Sequence, residues 1–326
     1  MDIILPVAGF GTRLRPHTWS KPKPLVTVAG KAMLEHVLDR VMPVNPGKIV
    51  FITGYLGDMI EEWARKTYPD IELVFVEQPE MLGQSDAIYR TREHLDGDAL
   101  MLFPDALFEA DFTGLAARDV DGVAYTYYVE DPSAYGVALV DDEGKVTKLI
   151  EKPQEPVSHE AVIGIYYFRD INQLYSAIEE QMDKKIQLKG EYFIADAIQI
   201  MIDRGARFEI EQIQTWEDCG NVEALLDTNR YLLTAQPPSP AQRAGSLIVP
   251  PSFVHREATL EDAVVGPYAS IGAGTVIRNS VVRDSIVEEN AEIVDAILQR
   301  SVIGSKSVIQ GSARSISVGE NGKVAL

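Results

Sequence analysis

The amino-acid sequence predicts an α/β domain with a mainly parallel sheet, followed by a smaller β-helix. Two patterns lead to this prediction. In the first part of the chain, short runs of β-favouring apolar residues alternate with segments of helical periodicity, which is typical of parallel strands joined by helices. Beyond residue 246, aliphatic residues recur at intervals of six among small residues, which is typical of a chain wound into triangular coils.

The elements of the first domain follow from these patterns in chain order. Strands are predicted over 3–7, 49–53, 71–76 and 99–103, and helices over 34–42, 56–63 and 85–95. Three further strands, over 122–128, 136–140 and 145–150, predict an antiparallel edge, with a hairpin turn at 141–144. Helical periodicity returns over 194–202 and 221–233. In such sheets ligands bind beyond the carboxyl ends of the strands, near the loops after Val7 and Phe103.

A proline-rich segment separates the two predicted domains. Residues 235–246 contain three prolines and no apolar periodicity, which predicts a linker between a domain over 1–234 and a β-helix domain over 247–326. Val265, Ile271 and Ile277 illustrate the six-residue interval, which breaks down over 279–292. Flat β-helix faces favour packing between subunits, so a homo-oligomer is expected.

The composition excludes several classes of function. The chain has 326 residues with 30 Lys and Arg against 49 Asp and Glu, a net charge of −19, which disfavours nucleic acid or an anionic membrane as partner. No apolar stretch approaches the roughly 20 residues of a membrane span, and the N-terminus lacks a charged leader, so a cytoplasmic protein is expected. The single cysteine, Cys219, excludes an intrachain disulfide and is interpreted as a packing residue.

The strongest chemical signal is a glycine-rich loop directly after the first predicted strand. Residues 5–14 read Leu-Pro-Val-Ala-Gly-Phe-Gly-Thr-Arg-Leu, and 21–25 read Lys-Pro-Lys-Pro-Leu. Gly9 and Gly11 let the backbone curl around phosphate oxygens, while Arg13 and Lys23 supply charge-assisted hydrogen bonds. Five basic residues and one acidic residue between 1 and 31 indicate a local anion site. By itself the loop is equally compatible with a tight turn that carries surface cations.

Seven motifs in order resemble the sugar nucleotidyltransferase family, most closely its glucose-1-phosphate thymidylyltransferases and uridylyltransferases. They are the loop of 9–25, Gln78-Pro79 with 82–87, Asp105 after an apolar strand, Tyr135-Gly136-Val137, Glu151-Lys152-Pro153, the strand 161–166, and Trp216-Glu217-Asp218-Cys219-Gly220. The resemblance spans residues 1–233 and implies a Rossmann-like sheet. The tail resembles the left-handed β-helix of hexapeptide-repeat domains.

The resemblance also implies a reaction and a site. The reaction is magnesium-dependent transfer of a nucleotidyl group from a nucleoside triphosphate to a sugar 1-phosphate, with release of pyrophosphate. Arg13 would face the departing phosphates, Lys23 the α-phosphate or the sugar phosphate, and Asp105 and Asp218 would hold Mg²⁺. The implied nucleotide contacts are Ala8, Gly9, Gly11, Thr12, Arg13, Gln78 and Gly83, and the implied sugar-phosphate contacts are Gly136, Glu151, Lys152 and Val162.

Three questions stay open at this point. The amide of Gln78 matches an edge of uracil, thymine or guanine, so UTP or dTTP with glucose 1-phosphate is favoured and a mannose-1-phosphate guanylyltransferase is the alternative. Pro104 stands where the family usually has glycine, which keeps a non-catalytic subunit that binds a nucleotide sugar as a second hypothesis. An acyltransferase in the β-helix is disfavoured, because His255 is the sole histidine after the linker.

Overall fold

A computed structural model of the protein describes residues 1–236, 242–243 and 245–311. The predicted linker 235–246 therefore lies partly outside the described residues, and the predicted end of the β-helix at residue 326 lies outside them. The predicted domain limits stay predictions. The chain forms two compact units. The first comprises Met1–Val26 and Ala32–Asn221, and the second comprises Thr27–Lys31 and the chain from Val222 onward.

Within the described residues, the first unit and the hairpin and helix that belong to the second contain six α-helices and thirteen strands. The helices are α1 Met33–Val41, α2 Gly57–Thr67, α3 Gln84–Tyr89, α4 Ile171–Asp183, α5 Ile194–Asp203 and α6 Val222–Ala235. The strands are β1 Asp2–Pro6, β2 Thr27–Val28, β3 Lys31–Ala32, β4 Lys48–Thr53, β5 Glu72–Glu77, β6 Ala99–Leu102, β7 Ala106–Phe108, β8 Gly122–Tyr128, β9 Gly136–Val140, β10 Val146–Glu151, β11 Glu160–Phe168, β12 Phe208–Gln212 and β13 Trp216–Asp218. No helix among the described residues is both long enough and apolar enough to cross a bilayer.

Most of these strands form one mixed sheet of nine, and its parallel part matches the prediction. The main order is β10-β9-β11-β6-β1-β4-β5, with β8 paired to β11 and β12 paired to β8. Strands β6, β1, β4 and β5 run parallel, while β11 is antiparallel to β6. The β9–β10 hairpin forms an antiparallel edge, as predicted. The parallel arrangement brings the carboxyl ends of β1, β4 and β6 to the same side of the sheet.

The core explains why these segments are strands and helices. Ile3, Ile4 and Leu5 in β1 are fully buried, as a strand with both faces covered requires. Helix α1 turns one apolar face inward through Leu34, Leu38 and neighbouring residues. Because β1, β4, β5 and β6 run parallel, the residues that follow these strands lie at the same edge of the sheet.

In the second unit, strands of two or three residues stack in parallel on three sides of a coil. They are β14 Gln242–Arg243, β15 Ser246–Ile248, β16 Phe253–Val254, β17 Thr259–Glu261, β18 Val264–Val265, β19 Ser270–Ile271, β20 Val276–Arg278, β21 Val281–Arg283, β22 Ile286–Val287, β23 Glu292–Val294, β24 Ile297–Gln299, β25 Val302–Ile303 and β26 Val308–Gln310. Each of the three stacks continues through parallel pairs, except that β14 is antiparallel to β15. The stacks confirm the predicted fold class and are consistent with a left-handed β-helix.

The length of each coil explains why the six-residue interval breaks down. Leu247 pairs with Val264, 17 positions later, whereas Val281 pairs with Ile297, 16 positions later. A coil with three sides of six residues would need 18 positions, so one or two sides are a residue short. The inward residues stay aliphatic through this change, and they are Ile248, Val254, Leu260, Val265, Ile271, Ile277, Val282, Val287 and Ile293. The fold therefore tolerates intervals of five as well as six.

Candidate active site

A cavity of about 390 Å³ lies in the first unit beyond the carboxyl ends of β1 and β6. All seven residues predicted to contact a nucleotide line it, together with Lys23 and Asp105. The remaining lining residues are Pro6, Val7, Pro24, Met81, Gln84, Ala87, Phe103, Pro104, Glu191, Phe193 and Gly220. The loop after the first strand and the turn after the sixth therefore meet where the sequence places a ligand.

Gly11 brings the glycine loop against the segment that carries Lys23. Its φ of +60° lies in the left-handed region, and its carbonyl accepts a hydrogen bond from Thr18 Oγ1 at 2.8 Å. A β-carbon on Gly11 would lie 2.8 Å from Cβ of Lys23, closer than such atoms approach each other. Glycine is thus required at this position both by the backbone and by the side chain that it faces.

Pro104 lies at the centre of a tight turn that presents Asp105. The Asp105 N–H donates to the Phe103 carbonyl at 2.9 Å, two residues back, which closes a three-residue γ-turn. The fixed φ of proline suits the common form of this turn. The Phe103 N–H donates to the Gly164 carbonyl at 3.0 Å, which ties the start of the turn to β11. Proline is compatible with the turn that holds the acidic residue.

Lys23 and Asp105 form a close pair on the wall of the cavity. Lys23 Nζ lies 3.6 Å from Oδ2 of Asp105 and 3.5 Å from its backbone carbonyl oxygen. The lysine side chain is 13% exposed and the aspartate 55% exposed. The ammonium group is therefore held in place, whereas the carboxylate stays open to a ligand from the cavity.

Asp218 lies beside Asp105 and Arg13. Strands β7 and β13 pair antiparallel with Asp218 opposite Ala106, and the Cys219 N–H donates to the Asp105 carbonyl at 3.2 Å. A β-carbon on Gly220 would lie 2.8 Å from Asp218 Oδ1 and 2.9 Å from Arg13 Nη2. Arg13, Lys23 and Asp105 thus line one cavity, and Asp218, 113 positions after Asp105, lies on the segment that adjoins it.

The donor set fits a magnesium ion. Asp105 and Asp218 are exposed oxygen donors on adjoining backbone segments, and Mg²⁺ is usually held by one or two carboxylates with substrate phosphates and waters. Within the described residues, no group of three or more His, Cys, Asp or Glu side chains is arranged to hold a metal ion without such a ligand. The arrangement therefore suits an ion that arrives with a phosphate.

Gln78 is oriented by the protein so that only its carbonyl oxygen is left for a ligand. Its Nε2 donates to the Gly83 carbonyl at 3.0 Å and to Asp86 Oδ2 at 2.9 Å, so both amide hydrogens are used. Because both partners are acceptors, the assignment of nitrogen and oxygen in this amide is fixed. Asp86 is itself held by Arg90 at 3.0 Å. The side chain, 4% exposed, is a rigid acceptor in the cavity wall.

Glycine is required at position 83 for a structural reason that the sequence does not reveal. Its φ is +111°, and a β-carbon there would lie 2.4 Å from the backbone nitrogen of Tyr192. The Tyr192 N–H donates to the Leu82 carbonyl at 2.9 Å, which fixes this close approach. The prediction that Gly83 leaves space for a base stays a prediction, while its contact with the 192 segment requires glycine in any case.

The four residues predicted to contact the sugar phosphate form a second group near the edge of the sheet. Gly136 pairs with Glu151 on one side and with Val162 on the other. A β-carbon on Gly136 would lie 3.0 Å from Glu151 Oε2. Lys152 Nζ lies 3.5 Å from Glu151 Oε1 and 4.9 Å from the ring centre of Phe193. These four residues do not line the cavity described above, but Phe193 lines it and also lies against Lys152.

The carboxyl group of Glu151 is partly desolvated. Its side chain is 17% exposed. Burial raises the pKa of Glu151 above its ordinary value, and the neighbouring Lys152 ammonium opposes part of that rise. Asp196, in the first turn of α5, also has a pKa raised by burial and acts on Glu151 in the same direction.

Aromatic residues that the sequence did not assign to the site connect its two groups. Tyr135, next to Gly136, has its ring centre 5.3 Å from that of Trp216. Burial raises the pKa of Tyr135, the charge of Asp218 raises it further, and Arg13 lowers it, so this ring lies near the charged group. Phe193 and Glu191 enter the cavity from the segment before α5, where no quoted motif marks them.

A glycine loop, paired cations and paired carboxylates at the carboxyl edge of a parallel sheet define a class of α/β domains that bind phosphorylated ligands. The chain belongs to the nucleotidyl transferase family, whose model matches residues 2–235.

Individual relatives are similar in sequence over most of the chain. A UTP–glucose-1-phosphate uridylyltransferase of Haloferax volcanii is 30% identical over 66% of this chain and 89% of its own length. A glucose-1-phosphate thymidylyltransferase of Streptomyces antibioticus is 28% identical over 100% of this chain and 99% of its own. Among solved structures, a UDP-glucose pyrophosphorylase complexed with UDP-glucose shares the fold with a TM-score of 0.61 and 23% identity, covering 72% of this chain and 99% of the other.

Proposed function

We propose that the protein transfers a nucleotidyl group from a nucleoside triphosphate to a sugar 1-phosphate and releases pyrophosphate. The observation that supports this most strongly is the placement of Arg13, Lys23 and Asp105 on the wall of one cavity behind a glycine loop, with Asp218 on the segment next to Asp105. Two cations and two carboxylates are the groups that a triphosphate with a divalent cation requires. The named relatives, whose substrates include UTP and glucose 1-phosphate, support the same reaction.

The chemistry requires no activated side chain. An anionic oxygen of the sugar phosphate attacks the α-phosphorus, and the bond from that phosphorus to the bridging oxygen of the β-phosphate breaks. The electron pair leaves with pyrophosphate, so charge must be neutralised on the leaving group. Arg13 is assigned to that task, and Lys23 to the α-phosphate or the sugar phosphate.

Asp105 and Asp218 are assigned to a magnesium ion, which members of this family generally use. When bound, the ion supplies charge neutralisation for the phosphates. Lys23 keeps Asp105 oriented, and the Gly220 N–H, which donates to Asp218 Oδ1 at 2.8 Å, orients the second carboxylate. The ion would thus enter a site whose ligands are already positioned.

A pyrimidine nucleotide and a glucose phosphate are the proposed substrates. Gln78 Oε1 accepts the N3–H of uracil or thymine, and Glu151 accepts hydrogen bonds from sugar hydroxyls. The N1–H of guanine suits the same acceptor, so GTP with mannose 1-phosphate is the second candidate. A ligand-binding subunit without turnover was motivated by Pro104, and the γ-turn at that residue removes the main argument for it.

Pyrophosphate release tests the proposal directly. The purified chain is incubated with Mg²⁺, one of five common nucleoside triphosphates, and glucose 1-phosphate or mannose 1-phosphate. Release is expected with UTP or dTTP and glucose 1-phosphate, and neither substrate alone should give it. If no pyrophosphate is released with any of a broad panel of sugar phosphates, although calorimetry shows that the ligands bind, the result would instead favour the non-catalytic subunit.

We also propose that the protein is a cytoplasmic homo-oligomer that associates through the β-helix. One face of the coils presents Leu247, Val264, Val281 and Ile297 outward in register. Leu247 is 49% exposed and Ile297 is 74% exposed. An apolar ladder on a flat sheet face is typical of a surface that packs against a second subunit.

A further inference from the structure

Two short segments of the second unit follow directly on the loops that carry the proposed chemistry. Thr27 comes four positions after Lys23, and Val222 comes four positions after Asp218. The hairpin Thr27–Lys31 and helix α6 therefore continue the two loops into the β-helix unit. The position of each loop depends on how firmly its continuation is held.

A single buried amide joins the hairpin, the helix and the coils. Asn229 on α6 is fully buried. Its Oδ1 accepts from the Ala29 N–H at 2.9 Å, and its Nδ2 donates to the Tyr268 carbonyl at 3.1 Å. The Ala29 carbonyl accepts from Gln236 Nε2 at 3.2 Å, so both backbone groups of the turn residue are bound from the helix side.

The turn of the hairpin is shaped for these contacts. Ala29 and Gly30 have φ values of +47° and +88°, the left-handed pair of a two-residue hairpin turn. The ring of Phe253 lies so close that a β-carbon on Gly30 would be 2.6 Å from it. The hairpin is thus clamped between α6 and a β-helix strand.

The carboxylate of Glu288 holds the start of the same hairpin. It is 3% exposed, its Oε1 accepts from the Thr27 N–H at 3.4 Å, and its Oε2 accepts from the Ser305 N–H at 3.2 Å. The helix has its own anchor, because Arg230 makes two hydrogen bonds of 2.5 Å to Asp284, a carboxylate that is 5% exposed. Buried charged groups with such partners fix a geometry, since leaving one unpaired is costly.

We propose that Asn229 and Glu288 are positioning residues for nucleotidyl transfer: they fix the hairpin and α6 to the β-helix coils, and thereby fix the loops of Lys23 and Asp218. This rests on the proposed function. The β-helix then contributes to turnover through these two segments. Because Gln78 and Glu151 lie on other segments, the proposal separates turnover from recognition of base and sugar.

The test compares Asn229→Ala and Glu288→Gln with the unchanged full chain. Hydrogen exchange of the amides in residues 22–33 should quicken in both variants, since Thr27 and Ala29 lose their acceptors or have them weakened. At a temperature well below unfolding, kcat should fall about tenfold or more in Asn229→Ala, while KM for each substrate changes about twofold or less. Gln236→Ala is a milder variant that serves if Asn229→Ala does not fold.

Ile277→Val is the matched control. Ile277 is fully buried in the β-helix core, so its truncation lowers the melting temperature without removing a bond to the hairpin or α6. Its kcat should equal that of the unchanged chain, whereas a merely structural role for Asn229 would make kcat follow the melting temperature in both variants.

Two results would overturn the inference. One is unchanged exchange of residues 22–33 in Asn229→Ala, which is informative even without turnover. The other is faster exchange with kcat unchanged in a chain that releases pyrophosphate. Absence of pyrophosphate release from the unchanged chain would instead contradict the proposed function.

Discussion

At the scale of single residues, the position of Lys23 depends on a glycine that faces it. In Gly11→Ala, the added methyl group meets Cβ of Lys23 at 2.8 Å in a backbone with φ of +60°. We expect the free energy of unfolding to fall by about 1–3 kcal/mol and turnover to fall with it. Gly9→Ala is the stability control, because nothing lies within 4 Å of the added carbon. Equal melting temperatures for the two variants would contradict this view of the loop.

The charge of Asp105 is expected to be essential, whereas its size is not. Asp105→Asn keeps the shape of the side chain but removes a proposed ligand of the ion and the partner of Lys23. We expect pyrophosphate release to fall about 100-fold or more. Asp203→Asn makes the same charge change on the exposed end of α5, where the side chain accepts a hydrogen bond from Gln199 at 2.7 Å, and should retain full activity. Comparable losses in both variants would indicate a general effect of charge.

Pro104 is expected to help the site rather than impair it. Replacing it by glycine frees the backbone of the γ-turn and enlarges the unfolded ensemble. Pro104→Gly should lower the free energy of unfolding by about 1 kcal/mol and leave turnover within about threefold. Denaturant titration and steady-state rates measure the two effects. A large gain in turnover would mean that the proline restrains the chemistry.

The raised pKa of Glu151 leads us to expect that sugar binding depends on pH. Its pKa in the folded state is raised by burial above 4.5, so the carboxylate takes up a proton at a higher pH than in the unfolded chain. A raised folded pKa favours folding most at low pH, and this contribution is lost as the pH rises from about 4.5 through the folded pKa. Over the same window the carboxylate forms and can accept hydrogen bonds from the sugar.

The measurement follows KM for the sugar phosphate against pH. In the unchanged chain, KM should rise on acidification at a pH above 4.5. In Glu151→Gln, KM should stay nearly constant across the same pH window. The titration of the substrate phosphate itself is measured with a competitor that carries only a phosphate, and its effect is subtracted from both profiles. As the pH rises through the window, the free energy of unfolding should fall in the unchanged chain relative to that of Glu151→Gln, because only the unchanged chain ionises a buried group. A parallel pH profile for both proteins would remove Glu151 from the sugar site.

At the scale of elements, much of the fold could be predicted, because periodicity reports burial. Strand β4 and helix α5 lie within two residues of their predicted limits, since an apolar run or stripe marks each one. Helix α3 ends at Tyr89 rather than 95, because Arg90 and the residues after it form turns whose hydrogen bonds are invisible in the pattern. The coils of 16 and 17 residues do not fit the predicted interval, because a side that is one residue short places the next inward aliphatic residue five positions on instead of six.

The elements of the site show the same division. The glycine loop and Asp105 follow predicted strands, so their meeting at one sheet edge could be predicted, whereas Asp218 was selected only by the resemblance and lies at the end of β13, outside the main sheet. Tyr135, Trp216 and Phe193 could not be assigned, because their role depends on side-chain contacts between segments distant in sequence. The association of residues 27–31 with α6 also depends on such contacts, through Asn229.

The hairpin gives a prediction at this scale. In Gly30→Ala, the added carbon would lie 2.6 Å from the Phe253 ring in a backbone with φ of +88°. Gly97→Ala has a similar φ of +82° and open space around the added carbon, so it isolates the cost of the backbone. We expect Gly30→Ala to lower the free energy of unfolding by about 1–3 kcal/mol more than Gly97→Ala. Equal losses would mean that the ring does not clamp the turn.

At the scale of the whole molecule, a strongly acidic chain with net charge −19 places two cations, Arg13 and Lys23, on the wall of the cavity. Its outward apolar ladder leads to a prediction about association. Ile297→Asp places a charge on a side chain that is 74% exposed and should leave folding intact while lowering the mass in solution. Light scattering compares it with Glu289→Gln at a half-buried position of the coils, and an unchanged mass in Ile297→Asp would exclude this face.

The most direct test of the account is a crystal structure with an α,β-methylene triphosphate of uridine or thymidine and Mn²⁺ in place of Mg²⁺. We predict phosphates between the glycine loop and Lys23, with the base edge on Gln78 and the anomalous signal of manganese beside Asp105 and Asp218. A triphosphate bound elsewhere, or a metal ion away from both carboxylates, would contradict the account.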